Sequence, residues 1–322
     1  MTIKILTLFG GIGAPEKALI NKGIDHKQID YVEIDEKAVR TYNALYQHLH
    51  KYKAQSVIGW NLRPDILVHG SPCQDFSRAG KRLGGKDEDK TRSGLMWETL
   101  RIVESFGEWK PKVVIWENVK GVKDKDNIKT YNQYLQHFDK LGYYTTDAIL
   151  NSMDFGIPQD RDRNFAISVL NGNFNFNLLV KRPTIHIDYF LENDVSELYT
   201  ITQPSMLNRI GKNNNHGGRY LKTINDHCKT ISTKQMRCPN AGIIDLKNGR
   251  YRLLTEKETW RLQGFSDDDY QKAIKEHPSR EGKMNGTLYK QAGNSITVQV
   301  LEAIFEQLQE QGILELGITV ER

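Results

Sequence analysis

The segment DILVHGSPCQDFS, residues 65–77, places a cysteine at the point where an apolar run gives way to a polar loop. The apolar run has the length of a buried strand, and a glycine and a proline follow it, as is typical of a chain leaving a sheet. Cys73 therefore falls just beyond the end of a predicted strand. A cysteine placed there is a candidate covalent nucleophile where a neighbouring group favours its thiolate, and the alternative is a buried structural cysteine.

Strand-like and helix-like runs alternate on both sides of this segment through the first half of the chain. The predicted strands are IKILTLF (3–9), DYVEID (30–35), DILVH (65–69), KVVIWENV (112–119), YTTDAIL (144–150) and NFAISVL (164–170). The predicted helices are APEKALINKG (14–23), EKAVRTYNALYQHL (36–49), GLMWETLRIVESF (94–106) and IKTYNQYLQHFDKLGY (128–143). This alternation predicts an α/β fold with a mostly parallel sheet covered on both faces. Ligands of such sheets bind beyond the carboxyl ends of the strands, where Gly11, Glu33, Cys73 and Glu117 all fall.

The second half of the chain is less regular. After about Phe174, stretches rich in asparagine and glycine such as GKNNNHGGR (211–219) separate short strand-like runs. Helical patterns return at LTEKETWRLQGF (254–265) and TVQVLEAIFEQLQEQG (297–312). A chain of 322 residues fits one large domain with a second, smaller one, and its 38% hydrophobic and 26% charged residues describe an ordinary globular protein.

Composition also bears on location and on metals. No apolar run approaches the roughly 18 residues that a membrane helix needs. The first residues predict a strand rather than a signal peptide, so we expect a cytoplasmic protein. The three cysteines suit a reducing compartment. A zinc site built from His227, Cys228 and Cys238 is an alternative, but the chain has no Cys-x-x-Cys pair, and we expect no metal.

Positive charge concentrates in one stretch, although the net charge is only +5. Between residues 207 and 237 a single acidic residue, Asp226, stands among basic ones, which are Arg209, Lys212, Arg219, Lys222, Lys229, Lys234 and Arg237. Such a cluster is expected of a surface that contacts phosphate groups, and a solvated lysine-rich face is the alternative.

The stretch LFGGIG, residues 8–13, runs from the first predicted strand through glycines into a helix. Such a turn lets the backbone approach a bound ligand closely. Glu33, at the end of the second strand, is placed to accept hydrogen bonds from ribose hydroxyls. The nicotinamide pattern G-x-G-x-x-G is not met because Glu16 stands at its last position. A tight strand–helix turn without a ligand is the alternative.

Two further groups lie near strand ends. Glu117 follows the apolar run VVIW, and a partly desolvated carboxyl group has a raised pKa that suits proton donation. Arg161 and Arg163 of IPQDRDRNF are two residues apart, so an extended backbone points them in the same direction.

Taken in order, these motifs resemble those of the DNA cytosine carbon-5 methyltransferases, and the resemblance covers nearly the whole chain. FGGIG (9–13) is similar to the cofactor loop F-x-G-x-G, PCQDFS (72–77) to the nucleophile loop, ENV (117–119) to the cytosine-binding motif, and QDRDR (159–163) to Q-x-R-x-R. RLLTEKETWRLQGF (252–265) and YKQAGNS (289–295) match the remaining two motifs. The compact length resembles the bacterial and phage members.

The resemblance implies a Rossmann-like sheet of the S-adenosylmethionine-dependent methyltransferases, in a catalytic domain of residues 1–175 plus 288–322. A loop-rich target-recognition domain would span residues 176–287, where Lys229-Thr230-Ile231 resembles the family's threonine–aliphatic pair. The partner implied is double-stranded DNA. Its expected contacts are Gln74, Ser77, Lys81, Arg82, Arg209, Lys212, Arg219, Lys222, Lys229, Thr230, Lys234 and Arg237.

The resemblance also implies the reaction. Cys73 adds to carbon 6 of cytosine, and carbon 5 then attacks the methyl group of S-adenosylmethionine. Glu117 holds ring nitrogen 3 and the exocyclic amine, and Arg163 contacts the ring carbonyl with Arg161 in support. The target base must leave the duplex to be reached. The cofactor contacts implied are Phe9, Gly11, Ile12, Gly13, Glu33, Ile34, Trp60, Asn61, Gly70, Pro72, Leu95, Asn294 and Ser295.

Three positions depart from the family pattern. Trp60 stands where an aspartate often contacts adenine, Ile34 where a large aromatic residue is common, and Ser266 where proline usually follows RLQGF. Because an indole is a donor only, we expect Asn61 to accept from the adenine amine, with a backbone carbonyl as the alternative acceptor.

Two alternative functions stand beside this one, the first an enzyme on the same fold and the second a protein of a different class. One is a transfer-RNA cytosine methyltransferase on the same fold, which PCQDFS and the basic insert disfavour. The other is a catalytically silent DNA-binding protein, which the presence of Cys73, Glu117 and both arginines disfavours. We expect a monomer, with a cognate restriction endonuclease as a candidate partner.

Overall fold

The computed structural model describes residues 2–46, 51–58, 62–71, 95–211 and 221–314. Within these ranges the strands are β1 (Ile3–Leu8), β2 (His26–Val32), β3 (Ile66–His69), β4 (Val113–Val119), β5 (Tyr143–Asn151), β6 (Gln159–Asp160), β7 (Asp162–Leu170), β8 (Cys228–Lys229), β9 (Ile244–Asp245) and β10 (Tyr251–Arg252). The α-helices are α1 (Ala14–Asn21), α2 (Glu36–Tyr46), α3 (Met96–Ser105), α4 (Ile128–Lys140), α5 (Pro204–Leu207), α6 (Glu256–Arg261), α7 (Asp267–Glu276), α8 (Gly286–Asn294) and α9 (Val298–Glu310). In the same ranges, no helix combines the length and apolar character that crossing a membrane requires.

Six strands form one sheet in the order β2-β1-β3-β4-β7-β5. β1 pairs in parallel with β2 and β3, and β3 pairs in parallel with β4. β7 runs antiparallel to both β4 and β5. An antiparallel pair needs no crossover helix, which agrees with the short connection between β5 and β7. The predicted α/β fold with a mostly parallel sheet is confirmed.

Alternate residues of the central strands face opposite sides of this sheet. Ile66 and Val68 of β3 belong to the core on the side of α1 and α9, whereas Leu67 belongs to the core on the side of α3 and α4. All three side chains are buried. A strand buried on both faces is apolar throughout, which is why the sequence predicts β3 as a continuous apolar run rather than an alternating one.

The segment between β7 and α6 is loop-rich, as predicted, and its strands are two residues long. β9 pairs with β10, and β8 pairs in parallel with β6 near the main sheet. A small core of its own is formed by Ile201, Leu221, Ile243 and Leu253. Trp260 of α6 instead joins the core on the side of α1 and α9. The domain boundaries at residues 175 and 288 stay predictions.

The helices α7 and α8 are absent from the sequence-based prediction because their sequences, DDDYQKAIKE and GTLYKQAGN, are mostly polar. A local signal for α7 exists in Ser266, whose Oγ accepts from the N–H of Asp269 at 3.2 Å. Asp269 in turn accepts from the N–H of Ser266 at 2.8 Å, which completes a capping box. The departure from the family pattern at Ser266 is therefore a helix cap.

Candidate active site

A cavity of about 930 Å³ opens at the carboxyl ends of β1 to β4 and is bordered on its far side by α8. Its walls come from the loop after β1, the turn after β2, residues 55–57, the ends of β3 and β4, and α8. The predicted site residues among its lining are Phe9, Gly11, Ile12, Glu33, Ile34, Gly70, Leu95, Glu117, Arg161, Arg163 and Asn294. Most of the described residues predicted to bind the cofactor therefore share one cavity with those predicted to bind cytosine, whereas Gly13 and Ser295 are not part of its lining.

Glu33 fixes the two loops at one end of this cavity. One carboxylate oxygen, Oε2, accepts from the N–H of Gly11 at 3.0 Å, and the other, Oε1, accepts from the N–H groups of Ile34 and Asp35 at 2.8 Å each. The predicted strand DYVEID extended to Asp35, but β2 ends at Val32. The chain turns at Glu33 because its carboxylate takes the N–H groups that would otherwise continue the strand.

Apolar side chains face the cavity at the same end. Phe9 has a backbone φ of 55°, in the left-handed region that residues with side chains rarely adopt. Ile34 is 76% exposed although its side chain is apolar, and Leu95, next to the start of α3, also lines the cavity. An exposed apolar side chain that lines a cavity provides a surface for a flat ring to cover.

Glu117 and Arg163 form an ion pair at the other end of the cavity. β4 and β7 are antiparallel neighbours, and the Nε of Arg163 lies 3.1 Å from Oε1 of Glu117. Burial raises the pKa of the Glu117 carboxyl above its usual range, while the charges of Arg163 and Arg161 and the hydrogen bond from Arg163 oppose that shift. Burial therefore favours the protonated form of this carboxyl group, and the two arginines favour its charged form.

Arg161 lies behind this pair and is only 3% exposed. Its guanidinium donates to three backbone carbonyls, those of Ile231 at 3.2 Å, Gly293 at 3.3 Å and Ser295 at 2.7 Å. The two arginines were predicted to point in the same direction, and both line the cavity, but they have different partners. Arg161 thus holds the end of α8 through the carbonyls on either side of Asn294. Asn294 lines the cavity, and Ser295 is buried.

Two residues that the sequence analysis did not single out hold the start of the nucleophile loop. Trp116 Nε1 donates to the Oγ of Ser71 at 3.1 Å, and Asn118 Nδ2 donates to the carbonyl of Ser71 at 3.2 Å. The sequence signal for Asn118 was its position as the middle residue of the ENV motif.

Ten predicted site residues lie outside the described part of the chain, namely Trp60, Asn61, Pro72, Cys73, Gln74, Ser77, Lys81, Arg82, Lys212 and Arg219.

The Lys229-Thr230-Ile231 segment docks on the QDRDR motif. Lys229 Nζ lies 2.6 Å from Oδ2 of Asp160, and the Thr230 hydroxyl donates to the Asp160 carbonyl at 2.9 Å. Gln159 is fully buried, accepts from the N–H of Ile231 at 3.0 Å and donates to the carbonyl of Leu262 at 2.8 Å. Two residues predicted to contact DNA, Lys229 and Thr230, thus join the recognition segment to the QDRDR motif.

The remaining predicted DNA contacts in the described part of the chain lie in the same region. Lys222, Lys234 and Arg237 are exposed, and Arg209 is half-buried. Exposed lysine and arginine side chains extend into solvent, where they can contact phosphate groups.

The long motif RLLTEKETWRLQGF lies away from the cavity and has a structural role. Thr255 caps α6 in a capping box with Glu258. Arg252 donates to both carboxylate oxygens of Glu258, at 2.8 and 2.9 Å, and both side chains are buried. The spacing of arginine, threonine and glutamate in this motif therefore follows from one capped helix rather than from catalysis.

Several named methyltransferases are similar in sequence to this chain along nearly its whole length. The type II methyltransferase M2.ScrFI of Lactococcus lactis subsp. cremoris is 29% identical over 95% of this chain and 99% of its own. The type II methyltransferase M1.ScrFI of the same organism is 30% identical over 95% of this chain and 78% of its own. The orphan methyltransferase M.SPRI of Bacillus phage SPR is 28% identical over 95% and 97%.

Solved structures show the same fold. The Dnmt2 methyltransferase of S. pombe superposes with a TM-score of 0.75 at 20% identity, covering 96% of this chain and 99% of its own. The family model described as C-5 cytosine-specific DNA methylase matches residues 3–188 and 175–310. Together with the site geometry, this match shows that the chain belongs to the family of C-5 cytosine-specific DNA methylases.

Proposed function

We propose that this protein transfers a methyl group from S-adenosylmethionine to carbon 5 of a cytosine flipped out of double-stranded DNA, through a covalent adduct with Cys73. The observation that carries this proposal is the Glu117–Arg163 ion pair, which faces the same cavity as Glu33 and the loop after β1. A ring held at one end of the cavity would lie beside a nucleoside-containing methyl donor held at the other.

The residues at the donor end suit S-adenosylmethionine. Glu33 offers carboxylate oxygens to ribose hydroxyls, and the exposed apolar side chain of Ile34 offers a surface to a purine ring. Asn294, at the end of α8, offers polar groups to the amino-acid portion. When bound there, S-adenosylmethionine supplies an electrophilic methyl group.

The chain's own groups would activate the cytosine. Addition of the Cys73 thiolate to carbon 6 gives carbon 5 the electron density of an enamine, which splits one difficult step into two easier ones. Because burial raises its pKa, Glu117 is suited to give a proton to ring nitrogen 3, and a protonated ring accepts the thiolate more readily. Arg163 retains further N–H donors for the ring carbonyl. Once carbon 5 carries the methyl group, a base would remove the carbon-5 proton, and the thiolate would leave as the ring double bond forms again.

Buried contacts would aim the nucleophile. The bonds from Trp116 and Asn118 fix Ser71, two residues before Cys73. A reacting group is most effective when the backbone that carries it is held before the substrate arrives.

The basic recognition segment would read the DNA. Lys222, Lys234 and Arg237 would contact phosphates and position the duplex, whereas specificity requires contacts with base edges in the segment of residues 176–248. We propose that the protein acts as a monomer and that a restriction endonuclease of matching specificity accompanies it, as the names of type II relatives suggest.

A transfer assay with tritiated S-adenosylmethionine on duplex DNA and on transfer RNA tests the proposal. We expect wild-type protein to label DNA, and the Cys73→Ser variant to be inactive, because a hydroxyl is a far weaker nucleophile at neutral pH. A duplex with 5-fluorocytosine at the target should trap the wild type covalently. Labelling of transfer RNA alone, turnover by the serine variant, or absence of the trapped adduct would contradict the proposal.

A further inference from the structure

Four tyrosines pack together beneath the loop of residues 9–13, and the proposed mechanism uses none of them. The rings of Tyr31 and Tyr42 are stacked with centroids 3.8 Å apart. Tyr46 lies 4.7 Å from Tyr42, and Tyr52 lies 5.7 Å from Tyr31. Tyr31 and Tyr42 are almost fully buried. We call these four residues the tyrosine cluster.

Two hydroxyls of the tyrosine cluster bind the loop itself. Tyr31 donates to the carbonyl of Gly11. The Tyr46 hydroxyl lies 2.6 Å from the carbonyl of Gly13 and 3.2 Å from that of Ile12. Burial holds the pKa of both phenols well above their usual range, so both remain protonated donors at any working pH.

The rings set the shape of the loop as well. A Cβ atom on Gly10 would lie 2.4 Å from the ring of Tyr31, and one on Gly13 would lie 2.5 Å from the ring of Tyr46. The loop backbone therefore rests directly on the tyrosine cluster. Glycine is required at both positions because the rings occupy the space of a side chain.

These contacts orient groups that face the cavity. The carbonyl of a trans peptide points opposite to the N–H of the next residue. The bond from Tyr31 to the Gly11 carbonyl thus turns the N–H of Ile12 away from the tyrosine cluster, and Ile12 lines the cavity. Glu33 holds the N–H of Gly11 from the other side. The loop also contains Phe9 at a φ of 55°, a conformation that persists only where its surroundings impose it.

We propose that Tyr31 and Tyr46 are positioning residues for the methyl donor, because their hydroxyls hold residues 9–13 in the binding conformation before the donor arrives. This inference rests on the proposed function, in which the donor occupies the cavity. A loop that is ordered in advance loses less conformational entropy on binding, so the gain should appear in affinity rather than in the chemical step.

Three matched substitutions test this inference. Tyr31→Phe and Tyr46→Phe each remove one hydroxyl from the loop and keep the ring packing. Tyr52→Phe is the control, because its hydroxyl donates to the carbonyl of Gln28 at 3.1 Å, away from the loop. Calorimetric titration with S-adenosylhomocysteine should show affinities weakened about five- to tenfold in the first two variants, because part of the loop must then be ordered when the ligand binds. The control should bind like the wild type.

Kinetics and exchange separate positioning from a merely structural role. The KM for S-adenosylmethionine should rise in Tyr31→Phe and Tyr46→Phe with kcat at saturating donor unchanged. Amide hydrogen exchange of residues 10–13 in the ligand-free protein should be faster in these variants and unchanged in Tyr52→Phe. Loss of stability without these changes would overturn the inference.

The outcomes distinguish this inference from the function on which it rests. If the wild type binds S-adenosylhomocysteine and both Tyr31→Phe and Tyr46→Phe bind it with the same affinity, the inference is overturned. The proposed function is not affected by that result. Equal weakening in Tyr52→Phe would also overturn it, because the tyrosine cluster would then support the fold as a whole. Failure of the wild type to bind S-adenosylhomocysteine would overturn the proposed function and the inference with it.

Discussion

Replacement of Gly293 by alanine should destabilise the protein, although alanine normally favours a helix. Gly293 lies near the end of α8, where a Cβ atom would be 2.4 Å from the backbone N of Thr233 and 2.5 Å from the carbonyl carbon of Ser232. Ordinary contacts begin near 3.4 Å, so the two segments would have to separate by about 1 Å. Both neighbours are main-chain atoms and cannot rotate away.

The expected size follows from two opposing terms. Removing glycine from a helix gains about 0.5–1 kcal/mol. Overpacking a tightly packed site costs about 1–3 kcal/mol. We expect a net loss of about 1–2 kcal/mol in the free energy of unfolding. Because Arg161 binds the Gly293 carbonyl and Asn294 lines the cavity, donor affinity should fall as well.

The matched control is Gly286→Ala at the start of the same helix. Its Cβ would meet the Met236 Sδ at 3.3 Å, the flexible end of a side chain that can move. Urea unfolding of both variants, followed by calorimetric titration with S-adenosylhomocysteine, provides the measurement. Gly293→Ala as stable as the wild type, or less stable only to the extent of Gly286→Ala, would refute the reasoning.

Three further predictions concern single side chains. Glu117→Gln should lower kcat by about 100- to 10,000-fold with little change in donor affinity, because the amide cannot give a proton to ring nitrogen 3, and a near-normal rate would mean that the ring is activated otherwise. Asn61→Ala should weaken S-adenosylhomocysteine binding by about tenfold and Asn61→Asp should restore most of it, whereas wild-type affinity in the alanine variant would exclude a side-chain contact with adenine. The hydrogen bond from Lys229 lowers the pKa of Asp160 in the folded protein below its ordinary value. The stability that this pair contributes is therefore present above the ordinary pKa of aspartate and is lost as the pH falls through the lowered pKa of the folded state. The stability difference between wild type and Lys229→Met, measured by urea unfolding from pH 7 to pH 3, should therefore shrink towards acid pH, and a constant difference would argue against the ion pair.

The sequence alone identified most of the sheet and the residues at its carboxyl edge. The strands β1, β3, β4, β5 and β7 and the helices α1 to α4 lie within one to three residues of the predicted runs, because both faces of the sheet are buried and apolar content marks them directly. α7 and α8 escaped prediction because few of their residues are apolar and because α8 contains Gly286 and Gly293, which disfavour a helix. The prediction placed β2 too late along the chain, at residues 30–35 instead of His26–Val32. It counted Glu33 as part of the strand, whereas the strand ends before Glu33, whose carboxylate accepts from the N–H of Ile34.

The motifs likewise identified candidate site residues from short stretches of sequence. They did not show which partner each of these residues has. The sequence by itself predicted that Glu117, Arg161 and Arg163 approach one site, because the ENV and QDRDR motifs resemble motifs of one family. The two-residue spacing alone indicated only that the two arginines point in the same direction. Only the tertiary structure decided that Arg163 pairs with Glu117 while Arg161 braces carbonyls 70 and 134 residues further along the chain. The contacts of the tyrosine cluster were also visible only in the tertiary structure, because the sequence gives no sign that these tyrosines differ from other core residues. Which buried donor meets which carbonyl depends on how segments distant in sequence are packed together, and no local pattern encodes that geometry.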